Sequence, residues 1–230
     1  MPRLPSRRSL IIGIPLALLV VFVGGWLLID AIQGDAPEEL SFDDATTTPG
    51  TGAPAPDGVE GTWTIAEGAS TVGYRVKEVL FGQDAIAAGR TTAVTGSLEI
   101  TGSTITATEV EVDMASVASD RSQRDGQFHG RIMSTDQFPK AAFRLTDPIA
   151  LAALPAEGEE VAFTMTGELT LRGLARSVTA DLVATLKGGQ ILVNGKIPID
   201  FDEFEIPDAS GGPASVGREG DLELLLVFSR

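Results

Sequence analysis

The chain has 230 residues, a formal charge of −15 and no cysteine. That acidity argues against a nucleic-acid partner, because phosphate binding needs clustered Lys and Arg. The missing cysteines exclude disulfides, thiolate metal sites, a thiol nucleophile and a lipidated-Cys anchor, while 43% hydrophobic residues suffice for a real core in one or two domains.

Residues 1–9 hold Arg3, Arg7 and Arg8 and no acid. Leu10 to Ile29 follows, twenty residues without a charge, enough to span ~30 Å of hydrocarbon at ~1.5 Å per residue. Trp26 sits where an interfacial aromatic belongs, and only acids follow. The arginines are therefore expected to stay in the cytoplasm, and everything after residue 30 to lie outside. The length of the run, with no small-x-small site behind it, favours an uncleaved signal anchor over a cleaved signal peptide. Ser6–Leu10, SRRSL, also faintly resembles a twin-arginine export signal. Residues 30–60 carry Pro37, Pro49, Pro54 and Pro56, and eight acids with no base. Such a segment buries too little to offset ordering entropy and reads as a disordered tether, with an average reach of roughly 30 Å.

From residue 61 to 230 the pattern is that of strands. Val72, Tyr74 and Val76 alternate with Arg75 and Lys77, and Val110, Val112 and Met114 with Glu109, Glu111 and Asp113. Leu98 and Ile100 flank Glu99, and Phe143 and Leu145 flank Arg144. Val161 to Leu171 places Val161, Phe163, Met165, Gly167, Leu169 and Leu171 on one face, a strict period of two. After Arg172-Gly173 the alternation resumes through Val178, Ala180, Leu182, Ala184 and Leu186. That predicts an antiparallel hairpin. Ile191 to Phe201 and Leu222 to Phe228 continue the series. The last strand is also apolar on its other face, at Leu225 and Val227, which calls for a covering helix or a second subunit. About eight antiparallel strands with one apolar face predict a closed barrel or a sandwich. An eight-stranded barrel can be filled by side chains or hold one small ligand. Gly167, Ala180, Ala184 and Gly195 alternate with bulky neighbours. They mark either room in the centre or close packing and strand bends.

Two stretches break the alternation. Residues 79–89, VLFGQDAIAAG, read as irregular. Ser116 to Asp136 predicts a short helical flap over one barrel end, with Phe128, Ile132 and Met133 on one side. His129, the only histidine, lies in that flap. Metal sites and triads need several partners, so it reads as a surface or flap residue. Arg121, Arg124 and Asp125 read as a pair that pins the flap, or as a contact for a polar ligand head. Asp200, Asp202, Glu203 and Glu205 lack the spacing of a calcium loop and read as a solvated strand end. There is no G-x-S-x-G elbow, no phosphate loop and no nucleophile–base set, so no catalytic, metal or cofactor site is expected.

Four segments in order resemble the YceI family: GTWTIAEGASTVGYRV, VEVDMASVASDRSQRDGQF, a shortened QFPKAAFRL, and GELTLRGLARSVTADL. The resemblance covers about residues 61–230. It implies an all-β, lipocalin-like, extended eight-stranded antiparallel barrel with a short helical flap, here preceded by one transmembrane helix. It implies a periplasmic, extracytoplasmic protein that holds a polyisoprenoid or an isoprenoid quinone in its lumen. The expected lining is Tyr74, Val76, Phe81, Phe143, Phe163 and Met165 on the earlier strands. Leu169, Leu182, Val193, Ile197, Phe201, Leu224 and Phe228 line it on the later ones, with Phe128 and Met133 from the flap. Expected partners are that lipid, a membrane reached through the N-terminal helix, and a second copy through the last strand. The other expectation is a dry barrel serving envelope stress or protein interaction.

Overall fold

A computed structural model of the chain describes residues 36–45, 58–212 and 214–230. The expected anchor at 10–29 lies outside the described residues. Among the described residues no helix is long and apolar enough to cross a membrane. The strands are β1 (Gly61–Ile65), β2 (Thr71–Leu80), β3 (Gln83–Thr91), β4 (Val94–Thr101), β5 (Thr104–Asp113), β6 (Ala118–Ser119) and β7 (Lys140–Leu145). They continue as β8 (Ile149–Ala150), β9 (Glu160–Leu171), β10 (Leu174–Lys187), β11 (Gln190–Asp200), β12 (Ala214–Val216) and β13 (Glu219–Ser229). Among the described residues one α-helix, α1 (Ser122–Gln127), interrupts them.

The pairings merge several of these into longer strands. β1 and β2 lie in turn along β13, with Ile65 opposite Phe228 and Thr71 opposite Leu225. They are one strand interrupted at residues 66–70. The side chain of Ser70 satisfies that break: its Oγ accepts from Val227 N at 2.9 Å, while Ala66 N donates to Val227 O at 2.8 Å. Likewise β3 and β4 pair with β2 and β1, β5 and β6 with β4 and β3, and β7 and β8 both with β5. With β9, β10, β11 and β13 this makes eight antiparallel staves, each beside its neighbour in the chain, and the last beside the first. The ring is closed, so neither flank of the barrel is left as a long open edge.

Two-residue turns set the register. Leu171 pairs with Leu174 across Arg172 (φ 50°) and Gly173 (φ 74°). Lys187 pairs with Gln190 across Gly188 (φ 60°) and Gly189 (φ 78°). Two successive positive φ values make a type I′ turn, whose twist matches that of the strands. The same geometry at Phe81 (φ 53°) and Gly82 (φ 81°) corrects the expectation for residues 79–89. They are not irregular: β2 and β3 form a regular hairpin from Leu80–Gln83 to Val72–Thr91. Ala and Gly in β3 carry too little hydrophobic contrast to show a period of two.

The apolar residues of each alternating face meet in one interior cluster. Leu225 and Val227, on the outer face of β13, are fully buried within the chain. Residues 36–45, inside the stretch read as a tether, lie against this same outer wall: Asn194 Nδ2 donates to Leu40 O at 3.0 Å.

Candidate functional site

The interior has tightly packed residues at both ends. At the lower end Trp63, Ile191 and Phe228 pack with 4% exposure or less, and Trp63 Nε1 donates to Val59 O at 2.8 Å. The Arg230 guanidinium closes this end from outside, 4.3 Å from the Trp63 ring. At the upper end Leu169, Leu171, Ile197 and Ile199 are as tightly packed. Between these plugs the inner wall behaves differently. On β13 the inward Leu224 and Leu226 each keep 7% exposure, and Val193, opposite Leu226, keeps 8%. The outward Leu225 and Val227 of the same strand keep none. A close-packed core seals its residues. Leu224, Leu226 and Val193, with Met165, form an inner belt that is less sealed than those plugs.

The small inward glycines do not make space in the centre. A β-carbon on Gly167 would lie 2.2 Å from the ring of Phe143, and one on Gly195 would lie 2.4 Å from Leu182 Cδ2. Neighbouring side chains already fill both gaps, which is the close-packing alternative for these positions.

The upper end is covered by the expected flap. α1 runs into a wider turn at Phe128–Ile132, where Met133 N donates to Phe128 O at 2.8 Å. Such i→i+5 turns cluster at functional sites. Phe128 and Met133 point into the cluster, and Ile132 packs against it. The Phe128 ring stacks on Tyr74 of β2 at 5.0 Å. The flap is pinned, but not by the Arg–Asp pair expected. Asp125 Oδ1 accepts from Ser119 N at 2.8 Å and from Ser119 Oγ at 2.7 Å. Arg124 binds Asp120 and lies 3.7 Å from Glu78 of β2. Arg121 reaches Asp120 at 3.4 Å. His129 Nε2 donates to Val117 O at 2.8 Å. Arg131 ties the flap to the 208–209 loop through Asp208 O and Ala209 O.

One side wall is less complete. β7 stays paired with β9 only from Ala142–Thr170 to Leu145–Gly167, and β8 pairs with β5. The lower half of β9, with half-buried Val161 and Phe163, has β10 beside it but not β7.

Most of the residues expected to line a lumen face the interior cluster. Met165, Val193 and Leu224 belong to the belt, Val76 and Phe201 keep comparable exposure near the top, and Leu182 is sealed. Leu169 and Ile197 belong to the upper plug and Phe228 to the lower. Tyr74, Phe143 and Phe163 are half-buried against the cluster. Phe81 does not join them. It is 54% exposed in the β2–β3 turn, because a two-residue hairpin leaves its central residues outside the ladder. The acids at 200–205 also have plain partners: Asp202 binds Arg218, and the carbonyls of Glu203 and Glu205 take Arg176 and Arg172. Among the described residues no group of His, Cys, Asp and Glu is placed to hold a metal ion.

The sequence reading missed Glu223. It faces outward between Asp221 and Leu225 and is 1% exposed, held by Arg75 and Arg90. An acid set among the leucines of LELLL was the available signal.

The family model of the YceI-like domain matches residues 63–228. No curated protein matches the chain. Two solved structures share the fold. One is a polyisoprenoid binding domain from Saccharophagus degradans implicated in plant cell wall breakdown. It is 14% identical, with a TM-score of 0.58, over 73% of this chain and 97% of that one. The other is Burkholderia cenocepacia BcnA, 19% identical, with a TM-score of 0.57, over 71% of this chain and 98% of that one.

Proposed function

The chain belongs to the YceI-like domain family, and from that premise we propose that its barrel binds a long apolar amphiphile, a polyisoprenoid or an isoprenoid quinone, and sequesters or carries it. The observation that supports this reading is the aliphatic inner belt, where inward Leu224, Leu226 and Val193 are less sealed than outward Leu225 and Val227. Its walls are aliphatic, so affinity would come from burial at about 0.8 kcal/mol per methylene. Ten methylenes contribute roughly 8 kcal/mol before ordering costs, enough without any reacting group. The similarity to a structure described as a polyisoprenoid binding domain supports the choice of ligand class. The apolar run at 10–29, with arginines before it and acids after it, supports a protein tethered to the membrane with the barrel on the extracytoplasmic side.

The test is organic extraction and mass spectrometry of the purified full chain. One polyprenyl or quinone species near one per chain is the expected result. No lipid, together with no uptake of added polyprenol or quinone, would replace the carrier with a dry-core envelope-stress or protein-interaction module.

A further inference from the structure

Glu223 is a buried carboxylate on the outside of the barrel, and such a group needs full pairing. Arg75 Nε reaches one oxygen at 3.2 Å and Arg90 Nε reaches the other at 2.6 Å. Gly73 stands opposite both Glu223 and Arg90 in the ladder. A β-carbon there would lie 2.8 Å from Arg90 Cγ, so the missing side chain is what lets Arg90 cross β2 to the carboxylate. Glu223 thereby fixes two guanidinium planes side by side. Each uses its Nε edge on the acid and has an Nη2 group free to donate elsewhere.

Those donors meet a peptide. Arg75 Nη2 donates to Pro37 O, and Arg90 Nη2 donates to Glu38 O. On β11, Asn194 Nδ2 donates to Leu40 O at 3.0 Å, and Lys196 Nζ meets Glu39 at 2.5 Å. Four successive residues each engage one barrel side chain, on β3, β2 and β11. The segment then closes on itself, with Ser41 N and Oγ donating to Asp44 Oδ2 at 2.8 Å and 2.9 Å.

We propose that this outer wall is a receptor site for an extended acidic peptide, and that residues 36–45 are its resident occupant, a strap and not a loose tether. Three of the four contacts go to main-chain carbonyls. The wall therefore selects an extended backbone with successive carbonyls presented to it, and Lys196 adds a preference for an acid at the third position. Glu223 is the positioning residue, since it touches no part of the strap and acts through the two arginines. With the strap docked, only residues 30–35 separate it from the apolar run, at most about 20 Å of extended chain. That last consequence, unlike the docking itself, rests on reading the run as a membrane anchor.

The chain has no cysteine, so labels can be placed freely. Nitroxides on cysteines at exposed Asp43 and Glu99 of the full chain report the strap's position by pulsed electron resonance. We expect one narrow distance distribution. Lys196→Glu combined with Asn194→Leu should widen it at least twofold, and so should an excess of a synthetic 36–45 peptide. For the charge contact alone, Lys196→Glu should widen it and adding Glu39→Lys should narrow it again. A broad distribution in the parent protein, or no recovery in the double reversal while circular dichroism stays native, would overturn the strap. Flotation of the same samples with phosphatidylglycerol vesicles reads the anchor separately. A narrow distribution without flotation overturns the tether-length consequence alone, and flotation with a broad distribution overturns the strap.

Discussion

The ring of Tyr74 lies flat against that of Phe128, with centroids 5.0 Å apart and planes 15° from parallel. One residue belongs to the barrel wall and the other to the flap, so the pair seals one to the other. Tyr74 is the chain's only tyrosine. Burial is the largest influence on its phenol and pushes it up from 10.0 to about 12. A raised pKa means that the closed state favours the neutral form. Its contribution is complete below about pH 10 and is lost as pH rises through about 12. Phenolate absorbance of the native protein should therefore rise with a midpoint near 12. A midpoint near the free value would show an open flap.

Asp125 and His129 should separate in their effects on the flap. Asp125→Ala removes the acceptor of two bonds from Ser119 and should cost about 1–3 kcal/mol. His129→Ala loses one bond to Val117 O, about 0.5–1.5 kcal/mol, and should leave bound lipid unchanged. Urea melting and lipid mass spectrometry measure both. Complete loss of lipid from folded His129→Ala would make the histidine part of a specific site.

Filling the belt and overfilling the wall should also differ. Gly167→Leu collides with the Phe143 ring and should cost about 1–3 kcal/mol or more, with or without a ligand. Val193→Phe adds bulk toward the inner belt and, on the carrier reading, should expel lipid at a smaller cost than Gly167→Leu. Equal destabilisation by both would mean that the belt is packed solid.

Acid should release the strap. Lys196, through a hydrogen bond first of all, holds the Glu39 carboxyl below its ordinary 4.5. The backbone N–H of Ser41 does the same for Asp44, ordinarily at 3.8. Depressed carboxyls contribute fully above their unfolded values, and that contribution is lost as pH falls through the folded ones. The Asp43–Glu99 distance distribution should stay narrow above the ordinary carboxylate values of 4.5 and 3.8 and widen only as pH falls below them. Narrowness persisting at about pH 2, below the ordinary carboxylate range, would show that the carbonyl contacts hold the strap alone.

Protease added to intact spheroplasts should release the barrel, cut at residues 46–57 in preference to the docked 36–45. Protection of the barrel would reverse the proposed topology, and a mature chain beginning near residue 30 would mean a cleaved signal peptide.

The barrel was legible because alternation over Val161–Leu171 and Val178–Leu186 is a local property, written directly in side-chain order. The flap's existence was legible for the opposite reason, since Ser116–Asp136 lacks that period. Its fastenings were not: Asp125 meets Ser119 and Arg124 meets Glu78 only once the strands are paired. Gly167 and Gly195 looked like room, because a sequence shows a missing side chain and not the neighbour that leans into the gap. Phe81 looked like lining because its hydrophobicity was visible and the turn that expels it was not. The strap was hidden most completely. Proline and acids gave residues 30–60 the composition of a free coil, and Asn194 lies 154 positions from Leu40, the carbonyl it holds.

The manner in which the ring closes bears on how the protein is made. Thr64 and Ser229, 165 positions apart, meet where the first stave joins the last. A nascent chain can form the hairpins one after another as it leaves the ribosome or a translocation pore, but it cannot complete the circle until β13 has followed. Until then the sheet that carries Trp63 and Met165 cannot close into a ring. Pairing of partners so far apart is slow. On the carrier reading, an apolar molecule at hand during that interval would be wrapped as the sheet rolls shut, without passing the flap. Loading would then occur once, at birth, and refolding in the presence of lipid would fill barrels that the finished protein admits only slowly.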